Sequence, residues 1–566
     1  MTDITYRMSV EGMTCAACDT HVVRALEGAG AKHAEADFRR GEAIFRAAAS
    51  IDQKTLVDAV RAAGYQPSPA TPVDATKPRG HQDAPVTELT APRRPRRSSV
   101  RGAAYDLVVI GSGSGAFAAA ITARELGAKV MMVERGTLGG TCVNIGCVPS
   151  KTLLRAAELY HQAARQSFAG VETRVGTVDL AALIGQKDEL IRGLRSAKYE
   201  DLVAHYGWDF VHGEASFVDE STLSVDGREV RAKRYIIATG ARPAIPPIAG
   251  LAETNYLTST TALELTRMPE RLVVVGSGYI ALEIGQLFSH LSSEVTLMQR
   301  SPRILKEFDP EIGEAMHAAL SEQGIRFVTG VGISRIDSGS WGRRVHFEVG
   351  GEERTIECDE LLVATGRTPN TAELHLDRAR VNLGEGGAVL IDNYGRTSNP
   401  RVFAAGDVTL APQFVYVAAY MGALAARNAL RNARQRLDLR VVPRVTFTSP
   451  AFATVGLSEA EARAAGHNVK TSVLPASAVP RALVNRDTRG VFKIVADAKS
   501  DRILGVHVVA ENAGDVIYAG VLAIKFNMTV RDLVETFAPY LTMAEGLKLA
   551  AQSFGRDIAR LSCCAA

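Results

Sequence analysis

Two segments of this chain carry one pattern. YDLVVIGSGSGAFAAAITARELGAKVMMVER, from Tyr105, and RLVVVGSGYIALEIGQLFSHLSSEVTLMQR, from Arg271, each read as a buried strand, a glycine turn, a helix and a second strand, about 165 residues apart. An apolar run rich in β-branched residues that ends in Gly-x-Gly and passes into helical spacing makes a parallel strand–helix–strand crossover. The chain therefore folds around two tandem Rossmann-like dinucleotide-binding units of α/β class, each offering a helix N-terminus to a pyrophosphate.

In the first unit Gly111 makes the tight turn and Gly113 lets the backbone approach the phosphates, while Gly115 and Ala116 keep the next positions small enough for helix to pack on strand. Glu134 closes the second strand, placed to accept a hydrogen bond from a ribose 2′-hydroxyl. The second unit has Gly276, Gly278 and Ala281 but no acid at the matching strand end, which reads Gln299-Arg300-Ser301-Pro302-Arg303. Two guanidiniums in place of a carboxylate favour a 2′-phosphate, so Arg300 and Arg303 predict NADPH over NADH.

At 566 residues the chain exceeds a single core. Residues 1–68 alternate and repeat like a ferredoxin-like βαββαβ module, and 69–103 are Pro-, Thr-, Ala- and Arg-rich, as a flexible linker is. The first unit is expected over 104–268 with a return segment at 391–440, and the second over 269–390. From 441 to 566 strands such as GVFKIVAD and ILGVHVVA mix with helices over 514–526 and 543–560, an α+β domain. A net charge of +3 over this length implies neither a nucleic-acid nor a membrane surface, and the arginines at 93, 94, 96, 97 and 101 read as a solvated linker. No stretch approaches the roughly 18 apolar residues that cross a bilayer, and the first residues lack the build of a signal peptide, so the cytoplasm is expected.

Six of the seven cysteines fall in close pairs: Cys15 and Cys18 in GMTCAAC, Cys142 and Cys147 in GGTCVNIGCVPSK, and adjacent Cys563 and Cys564. Cys358, alone in a strand-like run, reads as a buried apolar residue. Close pairs are poor material for a disulfide framework. In a reducing compartment they mean catalysis or metal binding.

GGTCVNIGCVPSK after a Rossmann unit, together with Ala238-Thr239-Gly240, Ala364-Thr365-Gly366-Arg367 and Ala405-Gly406-Asp407, resembles the pyridine nucleotide-disulfide oxidoreductases over about 105–560. The resemblance implies FAD in the first unit, NADPH in the second, and a homodimer whose C-terminal domain completes the partner's active site. It also implies that Gly140, Thr141, Thr239, Gly240, Gly366, Gly406 and Asp407 belong to the cofactor sites, that Lys151 pairs with Glu283 near the flavin, and that Cys147 is the flavin-proximal thiol and Cys142 the exchanging one. GMTCAAC resembles heavy-metal-associated domains, in which Cys15 and Cys18 bind one soft cation.

The departures from the disulfide-reducing members set the expected substrate. Those members carry a His-Pro pair in the C-terminal domain, the His held by a Glu; here Glu545 remains but Tyr540 stands where the His would be. Without a group that titrates near neutrality, thiol–disulfide exchange loses its proton shuttle. With the Cys563-Cys564 tail and the GMTCAAC module, the chain resembles the mercuric reductases within that family. That implies Hg(II) as substrate, received by the partner's Cys563 and Cys564, passed to Cys142 and Cys147, and flanked by Tyr199 and Tyr540. Donors would be Hg(II)–thiol complexes or mercury transport proteins. The competing readings are an NADPH-dependent reductase of small disulfides and a soft-metal carrier; complete nucleotide sites and Lys151 argue against the carrier.

Overall fold

The computed structural model describes residues 3–11, 16–37, 41–48, 50–72, 103–340 and 342–558. Cys15, Cys563 and Cys564 lie outside the described residues, as do the side chain of Cys18 and nearly all of the linker. The chain forms two compact units, Met1–Arg97 and Ser98–Ala566.

In the first unit strand Asp3–Glu11 is central, pairing antiparallel with Glu42–Ala48 on one side and with Gln66–Pro67 on the other, while Lys32–Asp37 adds to Glu42–Ala48. Strand alternation puts Tyr6, Met8 and Val10 inside, where Val22 and Leu26 of helix Ala16–Gly28 and Leu56 and Val60 of helix Gln53–Ala62 cover them.

In the second unit the sheet of the first nucleotide domain has parallel neighbours Asp209–His212, Val130–Glu134, Tyr105–Ile110 and Arg228–Ile237. Val402–Ala404, far along the chain, returns to pair parallel with Arg228–Ile237. The other nucleotide domain has a four-stranded parallel sheet, Arg326–Thr329, Glu294–Gln299, Arg271–Val275 and Glu360–Val363. Beside it, strands Gly332–Gly339, Gly342–Val349 and Glu352–Cys358 form an antiparallel sheet in which Cys358 is wholly buried. The C-terminal domain is a five-stranded antiparallel sheet with helices Ala513–Lys525, Val530–Glu535 and Glu545–Gln552. The last helix stops well short of the expected 560. Ser472 Oγ donates to the Ala550 carbonyl at 2.6 Å, and the Gly555 amide donates to Gln552 O to close the turn.

The internal repeat holds at the level of single atoms. A Cβ on Gly111 would stand 2.4 Å from Ala238 O, and one on Gly276 would stand 2.4 Å from Ala364 O, so each glycine turn is pressed against the Ala-Thr-Gly segment of its own domain. Among the described residues no helix is long and apolar enough to cross a membrane.

Helix Ser114–Glu125, which starts at the first glycine turn, packs on helix Val415–Arg431 at near backbone contact, since a Cβ on Gly422 would lie 1.9 Å from Gly115 O. Gly422→Ala is expected to push the helices apart and cost about 1–3 kcal/mol or more. Urea unfolding of the native protein and the variant measures this, with the free-FAD fraction as a second readout.

Candidate active site

The cysteine loop is two helices broken at one glycine. Cys142 lies in helix Gly140–Ile145, and Gly146 departs from helical geometry (φ −130°, ψ −108°). Cys147 then opens helix Cys147–Ala164, where unpaired amides and the helix dipole favour a thiolate. Neither cysteine is in a disulfide, and their side chains are hydrogen-bonded to each other. The bond from Cys142 is the largest influence on Cys147 and brings it down to about 7, helped by the Lys151 ammonium and opposed by burial and by Glu283. Cys142 moves the other way, well above the usual thiol range, through the same bond and its burial. The mutual hydrogen bond thus favours the ionised form at Cys147 and the protonated form at Cys142.

Lys151 stands one turn along from Cys147, and its ammonium pairs with Glu283 Oε2 at 2.6 Å. Glu283 is only 5% exposed, on helix Tyr279–His290 of the second nucleotide domain. Its other oxygen accepts the Phe447 amide at 2.9 Å, and the Phe447 ring lies under the Lys151 ammonium at 4.6 Å. Arg367 Nε faces Asp407 Oδ2 at 3.8 Å; burial raises the Asp407 carboxyl, and the guanidinium offsets part of that.

Tyr199 sits in a π-helical turn, Ser196–Glu200, with its ring edge-on to Phe117 at 4.8 Å. Burial and the neighbouring Cys142 raise its phenol, while a hydrogen bond with Ser114, at the start of helix Ser114–Glu125, lowers it. Asn144, between the two cysteines, donates to Leu138 O and Gly140 O, both at 2.9 Å, and accepts from Arg195 Nη1 at 3.1 Å. Arg195 immediately precedes the π turn, so one amide side chain ties the cysteine loop to the segment that carries Tyr199.

The remaining expected residues fall around the two glycine turns. Gly113 precedes helix Ser114–Glu125, Gly115 and Ala116 are buried in its first turn, and Gly140 and Thr141 open the cysteine-bearing helix. Glu134 accepts from Ser112 Oγ at 2.7 Å and from the Gly136 amide at 2.6 Å. Thr239 Oγ1 donates to Asn370 O at 2.8 Å, and Gly240 O accepts the Asn370 amide at 2.9 Å. Gly406 and Asp407 follow strand Val402–Ala404. In the second domain Gly278 precedes helix Tyr279–His290, Ala281 is buried within that helix, and Gly366 precedes strand Arg367–Pro369. Arg300 is exposed. Arg303 is half committed, for its Nη2 donates to Lys306 O at 2.9 Å and Phe308 O at 3.0 Å while its Nη1 is buried without a partner. Tyr540, 49% exposed, and Glu545, 4% exposed, sit where the chain enters helix Glu545–Gln552 on the C-terminal sheet. Burial raises the Glu545 carboxyl.

Residues 105–422 match the family described as pyridine nucleotide-disulphide oxidoreductase, 442–551 its dimerisation domain, and 7–66 the heavy-metal-associated domain. A mercuric reductase from Staphylococcus aureus is 53% identical over 100% of both chains, and one from Shigella flexneri is 42% identical over 99% of both. The chain belongs to the mercuric reductases. Among solved structures, the HOCl-induced flavoprotein disulfide reductase RclA from Escherichia coli is similar at 30% identity, with a TM-score of 0.72 over 80% of this chain and 100% of that one.

The residues present fit the cofactors of a mercuric reductase. Helix Ser114–Glu125 has no side-chain cap at its N-terminus, so its first amides face the turn at Gly111 and Gly113. Beside them a cavity of about 160 Å³ is lined by Gly111, Glu134, Gly213, Thr239, Asn370 and Glu373, which suits the adenosine end of FAD. Helix Tyr279–His290 is likewise uncapped, and the unpaired Arg303 Nη1 suits a phosphate oxygen of NADPH.

Asn144, Arg195, Ser114, Phe447 and Tyr279 also line this region, and no motif in the sequence singles them out. Tyr279 opens the second helix with its ring against Phe308 and Phe414, and burial pushes its phenol up to about 12. A polar Asn held between two cysteines was the one local signal available.

Alkylation of the reduced protein by iodoacetamide is expected to speed up with rising pH through about 7, following the Cys147 thiolate. Lys151→Met should move that midpoint up by roughly one unit or more, and Glu283→Gln should move it down, because the first removes a cation and the second an anion. The alkylation rate against pH for the three proteins checks both signs.

Proposed function

We propose that the Cys142–Cys147 pair holds Hg(II) while electrons from NADPH reduce it to Hg(0). The observation that carries this reading is the cysteine pair itself: Cys142 and Cys147 are free, stand on consecutive short-linked helices and are hydrogen-bonded to each other, with the Lys151 ammonium one turn from Cys147 favouring its thiolate as a ligand for a soft cation. Mercuric reductases are NADPH- and FAD-dependent oxidoreductases acting on Hg(II), and this chain is one of them. Bound FAD supplies the two-electron link between the nicotinamide and the metal held at the cysteines. The balance is NADPH plus Hg(II) giving NADP⁺, a proton and Hg(0).

Hg(II) prefers two linear thiolates, so it travels between thiol pairs by ligand exchange. Cys142, the exchanging thiol, forms the first new S–Hg bond, and its proton goes to the carrier thiolate that leaves. The Cys147 thiolate forms the second as the other carrier thiolate departs. Lys151, fixed by Glu283, keeps Cys147 ionised; the Asn144–Arg195 tie keeps Tyr199 beside the pair as a weak oxygen ligand or hydrogen-bond donor. Hg(0) has little affinity for thiolate and departs. A phenol at Tyr540 holds its proton at neutral pH, so it does not replace the histidine of the disulfide-reducing members.

The chain carries a dimerisation domain. The apolar stripe of Tyr518, Leu522 and Phe526 along one helix, with Phe537 96% exposed, supports pairing with a second copy that lends Tyr540, Glu545, Cys563 and Cys564 to the site across the interface. In this reading Cys15 and Cys18 gather Hg(II) from small thiols or from mercury transport proteins, in the cytoplasm.

The double variant Cys563→Ala, Cys564→Ala is expected to lose most turnover of thiol-bound Hg(II) while NADPH still bleaches the bound flavin at the native rate. Steady-state turnover together with stopped-flow flavin reduction measures both, and unchanged turnover would remove the tail from the delivery path.

A further inference from the structure

The two glycine turns share a backbone and differ in what their middle serine does. Gly111 and Gly276 have φ of 106° and 120°, and Gly113 and Gly278 lie at −74°, −176° and −78°, −177°. The Gly111 amide donates to Val133 O at 2.8 Å and the Gly276 amide to Met298 O at 2.9 Å, each the last carbonyl but one of the neighbouring strand. With the flanking glycines so alike, Ser112 and Ser277 hold equivalent places in their turns, each beside the strand that ends at Glu134 or Gln299.

Ser112 is wholly buried and fully used: its hydroxyl donates to Glu134 Oε2 at 2.7 Å and accepts the Gly139 amide at 3.1 Å. Ser277 is 3% exposed, and its hydroxyl has no partner. Gln299 turns its amide to Ser301 Oγ at 2.8 Å instead. A buried hydroxyl left unpaired destabilises a fold, and a ligand acceptor brought against it restores the missing hydrogen bond. A second such donor comes from the same strand end, the unpaired Nη1 of Arg303, and the loop that carries it reaches the start of helix Tyr279–His290, where Phe308 meets the Tyr279 ring at 6.4 Å.

We propose that Ser277 is a specificity-determining residue for the nucleotide, its hydroxyl donating to the 2′-phosphate of NADPH beside Arg300 and Arg303. The inference rests on the NADPH reading of the second domain. Where a carboxylate ends the strand, as at Glu134, the serine proton is taken by the acid and the site accepts from a 2′-hydroxyl. Where Gln299 and Arg300 end it, the proton is free for phosphate oxygens, which only accept.

The test titrates the full-length, FAD-loaded, oxidised protein with 2′,5′-ADP and with 5′-AMP by calorimetry. Ser277→Ala is expected to weaken 2′,5′-ADP by about tenfold, as loss of a hydrogen bond to a charged group does, and to leave 5′-AMP unchanged. Its unfolding midpoint without nucleotide should stay level or rise, because no bond within the protein is lost. Gln299→Glu, which rebuilds the Ser112–Glu134 arrangement, should weaken 2′,5′-ADP, and adding Ser277→Ala to it should cost less than Ser277→Ala alone. Equal loss for both ligands, or no loss, would overturn the role of Ser277. A native protein that holds 2′,5′-ADP no better than 5′-AMP would overturn the NADPH reading and the proposal with it.

Discussion

Glu283 is the group on which the rest of the site depends. One nearly buried carboxylate takes the Lys151 ammonium from the cysteine helix at 2.6 Å and the Phe447 amide from the edge of the C-terminal domain at 2.9 Å, while its own helix belongs to the second nucleotide domain. A buried carboxylate stripped of its cation is costly, so the three parts are held in one relative placement. That placement fixes where Lys151 lies, and the Lys151 ammonium helps bring the Cys147 thiol down.

The duplicated nucleotide fold explains both how the molecule is built and how its halves diverged. Each domain presses its glycine turn against an Ala-Thr-Gly segment and leaves a helix N-terminus uncapped, which is what an anionic dinucleotide needs. The halves differ at the end of the second strand, where Glu134 satisfies Ser112 and Gln299 leaves Ser277 alone. Their insertions differ too: the first domain's opens with the two cysteine-bearing helices and includes the π turn of Tyr199, and the second's is the antiparallel sheet of Gly332–Gly339, Gly342–Val349 and Glu352–Cys358.

What was legible in the sequence was local. Strand runs, glycine turns and the spacing of Cys142, Cys147 and Lys151 put their physics within a few residues of each other, and the fold class followed from them. The contacts that tune the site join residues far apart in the chain: Phe447 to Glu283, 164 positions away, and Arg195 to Asn144. No periodicity encodes such pairings. Arg303 shows the same limit, since its position at the strand end was plain, but the two carbonyls that claim half of its guanidinium come from a loop whose path no pattern announced. The tyrosine in place of histidine at Tyr540 was readable as a chemical change, because it removes a titratable group whatever the geometry around it.

The central claim is that this dithiol passes electrons to a metal and not to a disulfide. The most direct measurement is NADPH consumption by the FAD-loaded protein in excess small thiol, with HgCl₂ compared against oxidised glutathione. Consumption with Hg(II), accompanied by mercury vapour, and none above background with the disulfide is the predicted result. Consumption with oxidised glutathione and none with Hg(II) would contradict the account.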